Sequence, residues 1–225
     1  MRLLGEYLHQ QGLTCLGMRN TGHATQPEDM IRSLYTDWIA TLEDGYHLLR
    51  GISGNIFLIG LSMGGTLSLL MSTRLDVQGV VAMSSPYKLP DDPRLRHIEL
   101  ISRAVPFMPK SDEVPGASWF DKEAWKEHVS YPQNPVRSIG ELNKLLGEMR
   151  ASLPNVNVPV LLIHSKDDTY VLPENMEHIY AGLINASGKT KLYITGSGHV
   201  VTRDAARLQV FESVAEFIQR VGGDV

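Results

Sequence analysis

The feature that most narrows the possible folds is Gly60-Leu61-Ser62-Met63-Gly64, with Gly65 directly behind it. The motif follows the apolar run Ile56-Phe57-Leu58-Ile59 and opens into Thr66-Leu67-Ser68-Leu69-Leu70. A G-x-S-x-G segment between a strand and a helix predicts a sharp turn with the serine at its apex. The serine's backbone angles are strained there, and its neighbours two residues away must be small to avoid collision. Such a turn lifts the hydroxyl above a sheet and aims the next amide, Met63 N–H, at the place where negative charge would develop.

A strand that runs straight into a helix belongs to a layered α/β arrangement, and the rest of the chain supplies the layers. Val80-Val81-Ala82-Met83, Val160-Leu161-Leu162-Ile163 and Lys191-Leu192-Tyr193-Ile194 join Ile56–Ile59 as short runs rich in branched residues. Runs of that kind suit a parallel sheet buried on both faces. Thr14-Cys15-Leu16-Gly17-Met18 is a weaker strand candidate. Helical spacing fills the intervals, through Trp38, Leu42, Tyr46 and Leu49, and again through Val210, Val214, Phe217 and Ile218. Met1, Leu4, Tyr7 and Leu8 also share a helical face with no residue ahead to cap it, so the chain is expected to begin inside an element.

Between 87 and 154 the alternation stops. This stretch has several prolines, no strand-like run, and apolar residues at helical spacing such as Leu142, Leu145, Leu146 and Met149. A bare loop of that length is uncommon, so a helical cap inserted into a core formed by 1–86 and 155–225 is expected. Phe107, Met108, Trp119, Phe120 and Trp125 either pack that cap to the core or line a ligand pocket.

A total of 225 residues suits one α/β domain with such an insertion. With 21 Lys and Arg against 25 Asp and Glu the formal charge is −4. That mild acidity, without a basic run, argues against nucleic acid as a partner. The single cysteine, Cys15, excludes an internal disulfide framework and fits a cytoplasmic protein. No apolar stretch approaches the roughly 18 residues of a membrane span, and Glu6 and His9 interrupt any secretory leader.

A serine hydroxyl attacks poorly unless a base takes its proton. His199 is the best placed of 8 histidines, in Thr195-Gly196-Ser197-Gly198-His199 between the last strand and the last helix. His164 at a strand end and His178 on a helix read as packing or surface residues, and His23 as structural. The imidazole needs a carboxylate to fix its tautomer. Asp167 and Asp168 both follow Val160–Ile163; Asp168, three residues before Val171, is favoured, and Asp167 reads as solvated or capping. The order Ser62, Asp168, His199 is typical of α/β-hydrolases. No HExxH, CxxC pair or cluster of His/Asp ligands occurs, so a catalytic metal is not expected, and no phosphate-cradling GxGxxG follows a strand.

With these residues in view, the sequence resembles the bacterial carboxylesterases and monoacylglycerol lipases of the α/β-hydrolase superfamily. The likeness runs through Gly22-His23 with Pro27-Glu28-Asp29-Met30, Asp37-Trp38 and Glu43-Asp44-Gly45-Tyr46. It continues in Gly60–Thr66, Ser165-Lys166-Asp167-Asp168 with Val171 and Pro173, and Ser197-Gly198-His199-Val200 with Thr202. The resemblance implies Ser62 as nucleophile, Asp168 as acid, His199 as base and Met63 N–H as an oxyanion donor. It also implies a small-molecule ester substrate of short or medium acyl length, or a monoacylglycerol, with no cofactor. Acyl transfer by the same triad, or an inactive chain that only binds an acyl ligand, are the alternatives.

In that family a strand ending in a His-Gly-Phe-Thr-Gly type loop precedes the helix that here starts near Met1. Its loop supplies a second oxyanion amide, and the strand lies between those near Cys15 and at Ile56–Ile59. This sequence contains neither. One lost oxyanion donor typically costs about 2.7–4 kcal/mol of transition-state stabilisation. A misplaced start, a truncation or a rearranged sheet would each account for the difference, and the uncapped first helix favours loss.

Overall fold

The computed structural model describes residues 1–110 and 116–223. In chain order its helices and strands are α1 (Arg2–Gln10), α2 (Pro27–Arg32), α3 (Tyr35–Arg50), β1 (Phe57–Leu61), α4 (Met63–Met71), β2 (Gly79–Met83) and α5 (Ile98–Ala104). There follow β3 (Phe107–Pro109), α6 (Lys122–Lys126), β4 (Gln133–Pro135), α7 (Val136–Ser152), β5 (Val160–Ser165), α8 (Glu174–Gly182), β6 (Lys189–Ile194) and α9 (Arg207–Gly222).

All four apolar runs form strands, in one parallel sheet of order β1-β2-β5-β6. Leu58 lies opposite Val80, Val80 opposite Val160, and Val160 opposite Lys189. Because side chains alternate along a strand, each strand feeds two cores. Val80, Ala82, Val160 and Leu162 point to the face covered by α3, α4, α7 and α8, where Trp38, Leu67, Leu145 and Met149 are buried. Val81, Met83, Leu161 and Ile163 point the other way, onto α1 and α9, where they meet Leu4, Leu8, Val214 and Phe217. The sheet is therefore flanked by helices on both sides, as the near-continuous apolar runs require. Truncating a buried side chain such as Phe217 to alanine removes about 3–5 kcal/mol from such a core.

The segment between β2 and β5 differs from the strand-free helical expectation in one respect. β3 and β4 pair antiparallel, with Met108 opposite Asn134. Pro109 and Pro135 end this three-residue ladder, since proline has no N–H to extend it. The apolar stripe of α7 turns inward onto α4: Leu145, Leu146 and Met149 are fully buried in the main core. Trp119 tilts against His128 at 4.9 Å, and the Trp125 ring covers Gly116, so these indoles pack within the inserted segment.

The weak candidate Thr14–Met18 forms no strand. Among the described residues nothing pairs with the outer edge of β1. Instead a groove of about 940 Å³ runs along that edge, with β1 on one wall and residues 12–18 on another. A ladder requires neighbours about 4.8 Å apart, and the groove keeps the Cys15 segment beyond that reach.

Candidate active site

The turn after β1 holds Ser62 at φ 55° and ψ −122°, a conformation that L residues rarely adopt and that stores about 1–3 kcal/mol. Two sets of contacts impose it. The Ser62 amide donates to Met83 O at 2.7 Å, extending the β1–β2 ladder by one residue, while Gly65 N and Thr66 N both turn back to Ser62 O. A side chain at Gly60 would fall inside the backbone of Gly64, and one at Gly65 would strike Ser85 Oγ and Ala82 Cα. Gly64 itself has open space around its Cβ direction. The small residues demanded by the motif are thus needed at 60 and 65; at 64 it is the backbone that is approached closely. The Met63 and Gly64 N–H groups remain at the free N-terminal end of α4, which favours negative charge.

The C-terminal ends of parallel strands share one rim, so the loops after β1, β5 and β6 emerge on the same side of the sheet. After β5 the chain makes a tight turn organised by Asp168. Its Oδ1 accepts the amides of Tyr170 and Val171, each at 2.9 Å. Its Oδ2 faces two rings, His199 Nδ1 at 2.8 Å and His164 Nε2 at 3.3 Å. Burial alone would raise the Asp168 pKa. The hydrogen bonds from His164 and His199 outweigh that and hold the carboxyl well below the usual carboxylate range.

His199 is half-buried, with the Tyr170 ring 5.0 Å from its own. A carboxylate only accepts hydrogen bonds, so Nδ1 carries the hydrogen and Nε2 presents its lone pair. Asp167, read from sequence as solvated or capping, binds the histidine loop: its Oδ2 accepts Gly196 N at 2.7 Å. Ser165 Oγ donates to Ser197 O in the same loop. Of the two nearest loop glycines, Gly196 has φ 71°, whereas Gly198 is glycine because a side chain there would run into Ser118 O of the inserted segment.

The other histidines fall as their positions suggest, with one exception. His178 on α8 stacks on Tyr87 at 5.1 Å, and His23 meets Trp38 edge-on at 5.9 Å, its pKa lowered by burial. His164 is more than a packing residue. It is fully buried, and its Nε2 lies 2.8 Å from Val171 O. A carbonyl accepts, so the hydrogen sits on Nε2 and is shared with Asp168. Sequence position gave no sign of this, because it depends on how the β5 turn folds back. Among the described residues no group of three His, Cys, Asp or Glu side chains is assembled as a metal ion would require.

A parallel sheet between two helical layers, with a strained serine where strand meets helix, defines the molecule as an α/β-hydrolase. Residues 1–206 match the Hydrolase_4 family, described as serine aminopeptidase, S33, and the chain belongs to that family. It is 30% identical to a thermostable monoacylglycerol lipase from Bacillus sp. (strain H-257), over 99% of this chain and 86% of that protein. A carboxylesterase from Bacillus subtilis (strain 168) is 25% identical over 98% of this chain and 87% of its own. A solved structure from a study of LipS and LipT, two metagenome-derived lipolytic enzymes, superposes with a TM-score of 0.87 at 28% identity, covering 98% of this chain and 87% of its own. The chain is thus an enzyme of the serine esterase and lipase kind. No helix among its described residues is long and apolar enough to cross a membrane.

Proposed function

We propose that the protein hydrolyses carboxylic esters of short or medium acyl chains, or monoacylglycerols, through an acyl-enzyme on Ser62. The observation that carries this reading is the 2.8 Å contact between His199 Nδ1 and Asp168 Oδ2 on the rim where Ser62 stands. His199 Nε2 takes the proton as Ser62 Oγ attacks the ester carbonyl. The tetrahedral oxyanion rests on Met63 N–H at the head of α4. Collapse of the intermediate passes the proton from His199 to the leaving alcohol and leaves the acyl group on Ser62. Water, deprotonated by the same imidazole, then releases the acid and restores the serine. Asp168 stays ionised throughout, fixing the tautomer and stabilising the imidazolium.

The inserted segment 87–154 serves in this reading as the cap over the acyl chain, rooted in the core by α7. A second tie to the core supports the assignment: Tyr131 Oη receives Thr25 N at 3.1 Å and donates to Gly22 O at 2.6 Å. A cytoplasmic setting fits the single free cysteine, Cys15, which is exposed.

The decisive experiment treats the purified protein with a fluorophosphonate probe and assays p-nitrophenyl butyrate. Labelling confined to Ser62, with turnover abolished in Ser62→Ala, is the expected result. A chain that hydrolyses the ester without labelling at Ser62, or that shows neither activity nor labelling, overturns the reading.

A further inference from the structure

Five residues past His199 lies a carboxylate that the proposed reaction does not use. Asp204 is completely buried, yet no cation pairs with it among the hydrogen bonds and ion pairs of the described residues. Its partners are backbone amides. Oδ1 accepts Asp121 N at 2.7 Å, Ala205 N at 2.8 Å and Phe120 N at 3.0 Å; Oδ2 accepts Gly198 N at 2.6 Å and is 3.3 Å from Phe120 N. Ala205 is its own neighbour, but Phe120 and Asp121 belong to the inserted segment and Gly198 immediately precedes His199. One carboxylate therefore ties the insertion to the histidine loop.

The surroundings reinforce this tie. Gly198 has no room for a side chain because Ser118 O lies against it. Arg207 Nη1 donates to Asp121 Oδ2 at 2.8 Å, and Asp121 Oδ1 in turn caps α6 through Ala124 N at 3.0 Å. An acceptor-only group suits a point where four N–H donors converge, since any donor on the side chain would oppose one of them. Burying a carboxylate without a counter-ion is unfavourable unless hydrogen bonds satisfy it. A site built at that expense, joining these two segments, points to a role beyond packing.

We infer that Asp204 is a positioning residue: it clasps the Phe120–Asp121 turn of the insertion to the Gly198 amide, so that the seating of the cap sets the position of the His199 ring. The inference rests on the reading of His199 as general base, and deepens it by making the cap part of how the base is held.

Asp204→Asn is the informative variant. Its carbonyl can stay on the three donors gathered at Oδ1, while its NH₂ faces Gly198 N–H and repels it. The histidine loop is released while the cap stays bound. With p-nitrophenyl butyrate at 10 °C, and the folded fraction measured alongside, kcat per folded molecule should fall tenfold or more while KM changes less than threefold. A residue that only stabilised the fold would lower the melting temperature and leave kcat of the folded molecules unchanged; that outcome overturns the inference.

Native-state hydrogen exchange on the unaltered protein decides the matter should the variant not fold. The amides of Phe120, Asp121 and Gly198 share one acceptor, so their protection factors should agree within about threefold and shift together with mild urea. A tenfold separation between Gly198 and the other two excludes the clasp. Ser62 labelling of the unaltered protein separates this failure from that of the parent reading: a labelled, active enzyme with independent exchange refutes the clasp alone.

Discussion

His164 and His199 share a single oxygen of Asp168, the first ring reaching it at 3.3 Å and the second at 2.8 Å. A carboxamide cannot accept from both rings there unless its oxygen alone occupies that point, and its nitrogen then opposes the Tyr170 and Val171 amides. Asp168→Asn should therefore disturb either the turn or the His199 tautomer. Loss of kcat on the order of 10⁴-fold is expected. Stopped-flow acylation with p-nitrophenyl acetate checks it, and a drop below tenfold would contradict the assigned role of Asp168.

The same shared oxygen makes stability depend on pH in a defined direction. The folded protein holds the Asp168 carboxyl below its ordinary range, because the two histidine hydrogen bonds outweigh the opposing effect of burial. In the unfolded chain the group titrates near about 3.9. The carboxylate's contribution is complete above that value and is lost as pH falls toward the lowered folded value. The difference in urea midpoint between the native protein and Asp168→Asn should be constant near pH 6 and shrink once pH drops below about 3.9. A difference that holds steady at pH 3 would show that the carboxylate is not stabilised in this way.

Backbone strain at Ser62, the proposed nucleophile, yields a trade between activity and stability. Ser62 sits at φ 55°. Glycine adopts such angles freely, at an entropic penalty of roughly 0.5–1 kcal/mol. Ser62→Gly should abolish ester turnover and yet raise unfolding stability by about 1 kcal/mol, the part of the stored strain left after that penalty. Urea denaturation reads the effect; an unchanged or lower midpoint means the turn is not strained.

The glycines of the turn should not respond alike. Gly60→Ala places a methyl group inside the Gly64 backbone, so either β1 or α4 must move, destabilising by about 1–3 kcal/mol and displacing the serine. Gly64→Ala meets open space and should fold with near-native stability. Thermal melts of the two variants, run side by side, check the contrast.

Much of this architecture was legible because burial on both sheet faces demands near-continuous apolar runs. Val80–Met83 and Val160–Ile163 are such runs, and both are strands. β5 continues to Ser165, past the point where its apolar run stops, because β6 still pairs with it there, His164 beside Tyr193 and Ser165 beside Ile194, a register no sequence pattern announces. The Cys15 segment shows the reverse: apolar residues suggested a strand, but a ladder is a property of two chains in register, and β1 lies across a groove from it. β3 and β4 were hidden by the prolines that bound them. At the site, the choice of Asp168 over Asp167 followed from spacing; in the structure Asp168 Oδ2 lies 2.8 Å from His199 Nδ1. The contributions of Asp167 and Asp204 could not be read, since both act on backbone amides, which every residue but proline supplies.

The open edge of β1 leaves a trace in how its amides meet solvent. In a parallel ladder alternate N–H groups face opposite neighbours, and Ser62 N is directed at Met83 O of β2. By the same alternation the Leu58 and Gly60 amides are locked to β2, while those of Phe57, Ile59 and Leu61 look into the groove. Deuterium should enter the strand in a comb, every second position filling first, so that Ser62 rides on a strand that, among the described residues, is anchored along one side only.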